Sequence, residues 1–265
     1  MTDDPATIFF TGTAGAGKST LVSAYRTWLS TQGFAATVVN LDPGSESAEL
    51  DPDVDIREWV RLPNVMDEFD LGPNGAQVAA ADMIALKVFE VKQALTELRS
   101  DFVLVDTPGQ IELFAFRESS KAIVEALGGE RSALAFLFDP ALAKAASGFV
   151  ALAMLSATVE FRFRLPTVNL LTKTDLLEAA RLEEILGWSE DPERLVDAVD
   201  AELQTPDVQL SGGILRALES MAPLMTLLPT SSKTSAGLEP MYRRFQLQFH
   251  GGSDVEPSHA PPEEG

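Results

Sequence analysis

Cysteine is absent from this chain of 265 residues, and histidine occurs only at His250 and His259. Without cysteine the chain cannot form disulfides, thiolate metal sites or a cysteine nucleophile. Both histidines lie in or beside the carboxy-terminal tail, so a histidine-built catalytic centre or zinc site is not expected. These absences fit a reducing cytoplasm, which is the location we expect. They also exclude a metallochaperone that relies on cysteine and histidine ligands.

Long apolar runs and basic residues are scarce as well. No run approaches the ~18 consecutive apolar residues that span a bilayer, so no membrane span is expected. The acidic start of the chain does not resemble a secretory signal. Acidic residues number 40 against 20 basic ones, and the net charge is −20. This charge disfavours binding to nucleic acid and acidic membranes, which are polyanions. It is compatible with simple solubility or with a high-salt cytoplasm.

The hydrophobic pattern predicts one α/β domain over residues 1–250. Short β-rich runs alternate with longer amphipathic stretches, as in βαβ units that feed a doubly wound, mostly parallel sheet with flanking helices and helical insertions. Strands are predicted over 7–11, 37–41, 102–105, 134–138, 167–171 and 225–228. Helices are predicted over 18–31, 79–98, 112–127, 141–164, 176–203, 213–221 and 238–249. Residues 251–265 have little to bury and are predicted to be a disordered acidic tail.

A glycine-rich motif follows the first predicted strand and precedes the first predicted helix. Glycines let the backbone turn its N–H groups toward phosphate oxygens, and the helix amino terminus adds partial positive charge. Lys18 is expected to reach the β- and γ-phosphates, and the Ser19 hydroxyl to ligate Mg²⁺. A plain glycine-rich turn is the alternative. The motif fits the phosphate-loop pattern GxxxxGK[ST] and comprises Gly12, Thr13, Ala14, Gly15, Ala16, Gly17, Lys18, Ser19 and Thr20.

Two aspartates follow predicted strands, at the sheet edge where ligands of open α/β sheets bind. Asp106 opens the sequence Asp-Thr-Pro-Gly, a DxxG pattern. It is predicted to contact Mg²⁺, while Gly109 donates its N–H to the γ-phosphate. Asp42 opens an Asp-Pro-Gly sequence and could supply a carboxylate to Mg²⁺, to a metal-bound water or to the attacking water. Asp-Pro-Gly is also an ordinary turn sequence, and a simple strand-end turn remains an alternative for both.

The sequence Thr-Lys-Thr-Asp at residues 172–175 ends the fifth predicted strand, where guanine-binding proteins usually carry NKxD. Asp175 can accept hydrogen bonds from guanine N1–H and the 2-amino group, which adenine lacks, while the Lys173 stem packs over the base. Thr172 in place of asparagine is expected to remove a supporting side chain. Ser232 lies in a Ser-Ser-Lys sequence similar to the SAK loop whose backbone contacts the guanine carbonyl. An ordinary polar loop is the alternative interpretation of that sequence.

The sequence Gly72-Pro73-Asn74, taken with the DxxG motif and the following Gln110 and Glu112, resembles the GPN-loop GTPases over roughly residues 7–249. On its own, Gly-Pro-Asn would be a β-turn. The resemblance implies a homodimeric, archaeal-type GTPase whose loop carries Asn74 into the partner's active site. There Asn74 would hold the phosphate or the attacking water, and Gln110 and Glu112 would position or deprotonate that water. Eukaryotic relatives assemble or transport RNA polymerase, so a client in that machinery is an expectation from the family alone.

These motifs together predict Mg²⁺-dependent hydrolysis of GTP to GDP and phosphate by in-line attack of water. One alternative is a nucleotide-gated interaction module with negligible turnover. A second is a small-molecule kinase, which would need an acceptor pocket, usually under an arginine-rich lid. The predicted metal ligands are Ser19, Asp42 and Asp106, and the predicted catalytic residues are Lys18, Asp42, Asn74, Asp106, Gln110 and Glu112.

Overall fold

A computed structural model describes residues 4–45, 50–203 and 225–250. Its strands are β1 (Ala6–Gly12), β2 (Ala36–Asn40), β3 (Val54–Asp55), β4 (Phe102–Asp106), β5 (Ser132–Phe138), β6 (Thr167–Leu171) and β7 (Leu227–Pro229). Within the described residues they form one sheet in the order β3-β2-β4-β1-β5-β6-β7, and neighbouring strands are parallel. The predicted fold class is therefore confirmed. Strand β3 was not predicted, because two residues are too few to show an alternating pattern.

Helices connect the strands and cover both faces of the sheet. They are α1 (Lys18–Thr31), α2 (Leu62–Phe69), α3 (Pro73–Leu86), α4 (Val88–Thr96), α5 (Ile111–Ala115), α6 (Glu118–Leu127), α7 (Pro140–Ala143), α8 (Ala146–Phe163), α9 (Ala179–Glu190), α10 (Pro192–Leu203) and α11 (Leu238–His250). Short 3₁₀ turns occupy Ile56–Glu58 and Thr174–Leu176. Helix α2 was not predicted. The predicted helix 213–221 and the predicted tail 251–265 lie outside the described residues.

Four of the predicted helices are each divided into two helices in the structure. The break between α9 and α10 falls at Asp191, because Pro192 cannot donate a backbone hydrogen bond and disfavours helical geometry in the residue before it. The predicted helix 112–127 divides into α5 and α6, and 141–164 divides into α7 and α8. The predicted helix 79–98 divides into α3 and α4 at Lys87.

The Gly-Pro-Asn sequence, interpreted as a turn from sequence alone, begins helix α3. Gly72 is the N-cap in extended geometry, Pro73 is the first helical residue and Asn74 the second. Proline suits both interpretations, because its fixed φ fits the second position of a β-turn and also the first position of a helix. Asn74 therefore projects from a helix amino terminus, and its backbone is set by the helix that follows.

Two hydrophobic clusters, one on each face of the sheet, form the core. Alternation along β1 places Ile8 and Phe10 in the cluster with α1 and α11, while Phe9 belongs to the cluster with α3, α6 and α8. On the second face the ring of Phe149 in α8 lies 5.7 Å from that of Phe138 in β5. Because strands buried on both faces read as continuous apolar runs, the sequence pattern of β1 and β5 follows from this packing.

Helix α8 is long and apolar enough, by length and composition, to cross a membrane. It meets this test by its average composition, although it contains Glu160 and Arg162 and so has no run of about 18 consecutive apolar residues, which was the criterion applied to the sequence. Its apolar face, which includes Leu152 and Val159, is buried in the core. The composition of α8 is thus also that of a core helix in an α/β protein.

We predict that the two faces of α8 contribute unequally to stability. Phe149 is fully buried, and its ring also lies 6.1 Å from that of Trp188, whereas Phe161 on the same helix is 85% exposed. Phe149→Ala should lower the free energy of unfolding by about 3–5 kcal/mol through lost burial and a residual cavity. Phe161→Ala, the matched control, should change it by about 0.5 kcal/mol or less. Urea unfolding of both variants checks this, and equal losses would contradict the packing of α8.

Candidate functional site

The glycine-rich loop connects β1 to α1, and its glycines have distinct structural causes. Gly12 has φ +152°, and a Cβ at this position would lie 2.9 Å from the Leu137 carbonyl oxygen of the neighbouring strand. Gly17 adopts left-handed geometry with φ 92° immediately before α1. Glycine tolerates both conformations without steric cost. The loop thus wraps around the amino terminus of α1, as the sequence motif predicts.

Lys18 points back into this loop and toward the end of β4. Its Nζ donates to the carbonyl oxygens of Gly12 and Thr13, each at 3.3 Å, and to the Gly109 carbonyl oxygen at 3.0 Å. Burial lowers the pKa of the ammonium, and the negative charges of Asp106 and Asp42 oppose that shift. The ammonium thus joins the two motifs that the sequence assigned to phosphate binding.

Asp106 and Ser19 meet at the carboxyl edge of the sheet. The Ser19 hydroxyl donates to Asp106 Oδ2 at 2.6 Å, and the parallel register of β1 and β4 pairs Phe10 with Asp106. The second carboxylate oxygen, Oδ1, is buried and has no hydrogen-bond partner among the described residues. A hydroxyl beside a carboxylate oxygen suits Mg²⁺, which is bound by one or two carboxylates and completes its octahedron with substrate phosphates and water. The residues present therefore fit the predicted metal.

The Asp106 carboxylate is only 1% exposed, and this burial raises its pKa to about 6. The hydrogen bond from Ser19 and the positive charge of Lys18 lower the pKa in part, while the nearby Asp42 raises it further. A buried carboxylate carrying charge is costly without a cation close by. The site thus favours binding of a positive ion at neutral pH.

Asp42, predicted to serve the metal or a water, is held against the DxxG turn. Its Oδ2 accepts the Gly109 N–H at 2.8 Å, and its Oδ1 accepts the Gly44 N–H at 2.9 Å. The sequence assigned the Gly109 N–H to the γ-phosphate, but here it donates to Asp42, because the two strand-end turns lie side by side. Gly109 thus contacts two of the charged groups of the site, Asp42 through its N–H and Lys18 through its carbonyl.

The predicted base-binding residues form a second group after β6 and β7. The Thr172 hydroxyl donates to the Ala16 carbonyl oxygen at 2.8 Å, so the expectation that threonine removes support from this position is wrong. Lys173 Nζ contacts the Gly15 carbonyl oxygen and lies 3.2 Å from Asp139 Oδ2. These bonds connect the carboxyl end of β6 to the glycine-rich loop.

Asp175 is oriented by a residue that sequence reasoning passed over. The Ser231 hydroxyl donates to Asp175 Oδ1 at 2.6 Å, and Ser231 is buried. Ser232, the predicted contact, lies next to it on the loop after β7. The Ser-Ser-Lys resemblance marked this loop, but nothing in the sequence identified Ser231 as the partner of Asp175.

Three predicted catalytic side chains are not part of either group. Asn74, Gln110 and Glu112 are all exposed, and none of their side chains is hydrogen-bonded to another described residue. Gln110 immediately precedes α5, and Glu112 lies in its first turn. Both therefore stand close to the DxxG turn along the chain, with side chains that face outward.

The raised pKa of Asp106 predicts a pH-dependent stability difference. Because the folded-state pKa of about 6 lies above the ordinary value of 3.8, the folded protein holds this proton more tightly than the unfolded chain. The contribution of Asp106 to the free energy of unfolding is therefore fully present below pH 3.8 and is lost as the pH rises through 6. In nucleotide-free protein with a chelator, Asp106→Asn should therefore raise the free energy of unfolding at pH 7.5 by about 3 kcal/mol, and the gain should shrink toward pH 4.

Urea unfolding across this pH range checks the difference, with Asp200→Asn on the exposed surface of α10 as control. A gain that is independent of pH would contradict the buried, charged state of Asp106.

Comparison with known proteins agrees with this geometry. Residues 10–249 match a family described as "Conserved hypothetical ATP binding protein". The chain is 30% identical to GPN-loop GTPase PAB0955 of Pyrococcus abyssi, over 88% of this chain and 93% of that protein. It is 29% identical to GPN-loop GTPase 3 of Eremothecium gossypii, over 84% and 83%. The crystal structure of PAB0955, a GTPase in apo form, superposes with a TM-score of 0.80, covering 93% of this chain and 99% of that one at 28% identity. The chain belongs to the GPN-loop GTPase family.

Proposed function

We propose that this GTPase binds GTP together with Mg²⁺ and hydrolyses it to GDP and phosphate by in-line attack of water. The observation that carries the proposal is the convergence of Lys18, Ser19 and Asp106 where β1 and β4 end, with a 2.6 Å bond between Ser19 and Asp106. Phosphoryl transfer depends mainly on positioning and on electrostatic stabilisation of phosphate charge. These three side chains supply a cation, a hydroxyl ligand and a carboxylate at one place.

Ser19 and Asp106 are the residues that would hold Mg²⁺, with Asp42 as a further carboxylate. When bound, the ion would neutralise charge on the β- and γ-phosphates. Lys18 would contribute its ammonium to the same oxygens, and the N–H groups of the glycine-rich loop would line the phosphates.

Gly109 supports a nucleotide-dependent switch. Its N–H is bonded to Asp42 and its carbonyl to Lys18, and the γ-phosphate of GTP would compete for both the N–H and the ammonium. Binding would exchange internal hydrogen bonds for bonds to phosphate and release the Asp42 carboxylate toward water. The arrangement of the DxxG turn would then differ between nucleotide states, which is what an assembly or interaction switch requires.

Guanine selectivity is the part of the proposal that departs from the description of the matched family as ATP binding. A carboxylate accepts hydrogen bonds and cannot donate when ionised. Asp175, held by Ser231, therefore suits the two donors on the Watson–Crick edge of guanine, and adenine lacks that pair. The Lys173 stem lies close to Gly17 in the glycine-rich loop, so the proposed base site adjoins the phosphate site.

We predict that the Asp175→Asn variant binds xanthosine triphosphate more tightly than GTP, whereas the unaltered protein prefers GTP. Asparagine offers a donor toward position 2 of the base, where xanthine carries an oxygen and guanine an amino group. Competition between the two nucleotides for a fluorescent GTP analogue measures the change, with Asp67→Asn on α2 as control. An unchanged preference would remove Asp175 from the base site. Equal affinity of the unaltered protein for ATP and GTP would remove the guanine assignment altogether.

A homodimer with Asn74 acting across the interface fits the exposed surface around the Gly-Pro-Asn helix start. Large apolar side chains are uncovered there, with Phe69 51% exposed on α2, Val78 42% exposed on α3 and Phe116 49% exposed after α5. Large apolar side chains that are exposed in one subunit are often covered where proteins form interfaces. A partner seated on this surface would cover these side chains and bring its own Asn74 toward the exposed Gln110 and Glu112.

The absence of partners for Gln110 and Glu112 among the described residues also favours the second candidate, a nucleotide-gated interaction module with negligible intrinsic turnover. Water-positioning groups that are not preorganised contribute little to the rate, so fast hydrolysis would need a partner to order them. A protein client such as the RNA polymerase machinery, and a cytoplasmic location, stay predictions. The kinase alternative has no specific observation in its favour.

We predict that Asn74→Ala lowers GTP turnover by about 10² to 10³, the range for removal of one preorganised donor, with little change in affinity. Asn64→Ala, at an exposed position of α2, is the control and should retain activity. Subunits carrying Asn74→Ala are then mixed with subunits carrying Asp106→Ala, each nearly inactive alone. A mixed dimer rebuilds one intact site from Asp106 of one subunit and Asn74 of the other. If subunit exchange is verified and activity does not return, Asn74 does not act in trans.

A further inference from the structure

Asn40, at the end of β2, sets the position of Asp42. Its side chain is fully buried, its Oδ1 accepts the Asp42 backbone N–H at 3.0 Å, and its Nδ2 donates to Asp55 Oδ1 at 3.0 Å. An amide that donates to one partner and accepts from another has a single orientation. The backbone of Asp42 is thereby tied to Asp55 on the edge strand β3.

Arg57 fixes Asp55 in turn. Its Nε donates to Asp55 Oδ1 at 2.9 Å and its Nη2 to Oδ2, which is a fork on one carboxylate. Its third donor, Nη1, reaches the Ser45 carbonyl oxygen at 2.9 Å, in the loop that follows Asp42. These contacts hold the pKa of Asp55 below its ordinary value, against the effect of burial, and keep it ionised. A planar guanidinium can make such contacts together, whereas an ammonium cannot reproduce the fork.

On the β3 side of this network the strand pairing is short, whereas on the other side β4 pairs with β2 as far as Asn40. Strand β3 has two residues, and only Val39–Val54 and Asn40–Asp55 are in register with β2. The side-chain bonds therefore supply restraint that a longer ladder would otherwise give. Asp42 accepts the Gly109 N–H through its side chain, and the backbone of Asn40 is in register with Asp106.

We propose that Asp55 and Arg57 are positioning residues for hydrolysis. Through Asn40 and the Ser45 carbonyl they fix the backbone of Asp42, so that its carboxylate stays beside the DxxG turn after GTP has taken the Gly109 N–H. This inference rests on the proposed GTP hydrolysis. Neither Asp55 nor Arg57 is hydrogen-bonded to the glycine-rich loop among the described residues, so neither is expected to contribute to GTP affinity. Asp55 and Arg57 are expected to affect the placement of the Asp42 carboxylate alone. Small displacements of reacting groups have large effects on rate.

The first test measures single-turnover GTP hydrolysis and GTP affinity of Arg57→Ala, Arg57→Lys and Asp55→Asn. Arg57→Ala should slow hydrolysis by about 10-fold to 100-fold, as for other outer-shell positioning groups, with affinity within roughly threefold. Arg57→Lys should fall between Arg57→Ala and the unaltered protein. The matched control is Arg26→Ala, because Arg26 also pairs with an aspartate, Asp53, and donates to a backbone carbonyl next to β3. Equal effects of the two alanine variants would overturn the proposal.

Two further measurements separate positioning from general destabilisation. Guanidinium added at low millimolar concentration should restore part of the rate of Arg57→Ala but not affect Arg26→Ala, since Arg57 is partly exposed and its place is accessible. In an Asp42→Ala background, Arg57→Ala should slow hydrolysis by less than roughly twofold, because residues that act through one group are not additive. Full additivity, or no rescue, would overturn the proposal. If the unaltered protein does not hydrolyse GTP, the proposed function fails instead.

Discussion

The parallel pairing of β1 with β4 is the constraint on which the site depends. It sets Phe10 beside Asp106, so the residue that begins the DxxG turn lies next to the strand that opens into the glycine-rich loop. Only this adjacency lets the Ser19 hydroxyl, at the start of α1, reach a carboxylate 87 residues away at 2.6 Å. The bond is local in space and distant in sequence, so the sheet has to form before the site exists. The burial of the Asp106 carboxylate is unfavourable, and it is tolerated because the surrounding packing holds this residue in place.

Gly109 connects the two sides of this site through backbone atoms alone. Its N–H and carbonyl groups are bonded to an anion, Asp42, and to a cation, Lys18, and both bonds require the turn to be where it is. A Cβ on Gly109 would lie 3.3 Å from Asp42 Oδ2, a closer approach than most side chains make, so glycine suits this position sterically. Any group that displaces either bond would move the turn relative to its neighbours. Under the proposed binding of GTP, the position of the DxxG turn would be coupled to the γ-phosphate through these two bonds.

Sequence reasoning predicted the elements whose signals are local. The glycine-rich loop, the strand-end Asp106 and helix α1 each carry a motif or a periodicity within a few residues, and the structure contains all of them. Strand β3 was missed because pairing of two residues leaves no pattern, and the start of α3 was misread because proline suits a turn and a helix equally. The partners Ser231 of Asp175 and Asp55 of Asn40 were out of reach for another reason. These partners are set by strand order and register, which bring the ends of neighbouring strands side by side. The spacing of residues along the chain does not show which ends will meet.

Thr172 shows how the same physical requirement can be met by a different residue. Guanine-binding proteins usually have asparagine here, and its replacement suggested lost support. In the structure β6 ends beside the glycine-rich loop, and the threonine hydroxyl reaches the Ala16 carbonyl oxygen at 2.8 Å without a longer side chain. In this chain the hydroxyl supplies a donor to that carbonyl oxygen, and a hydrogen bond to a buried carbonyl stabilises the loop that carries it. The identity of the side chain matters less than the distance between two backbone segments, and that distance is a property of the sheet. Departures from a motif therefore have to be judged against the geometry in which the motif operates.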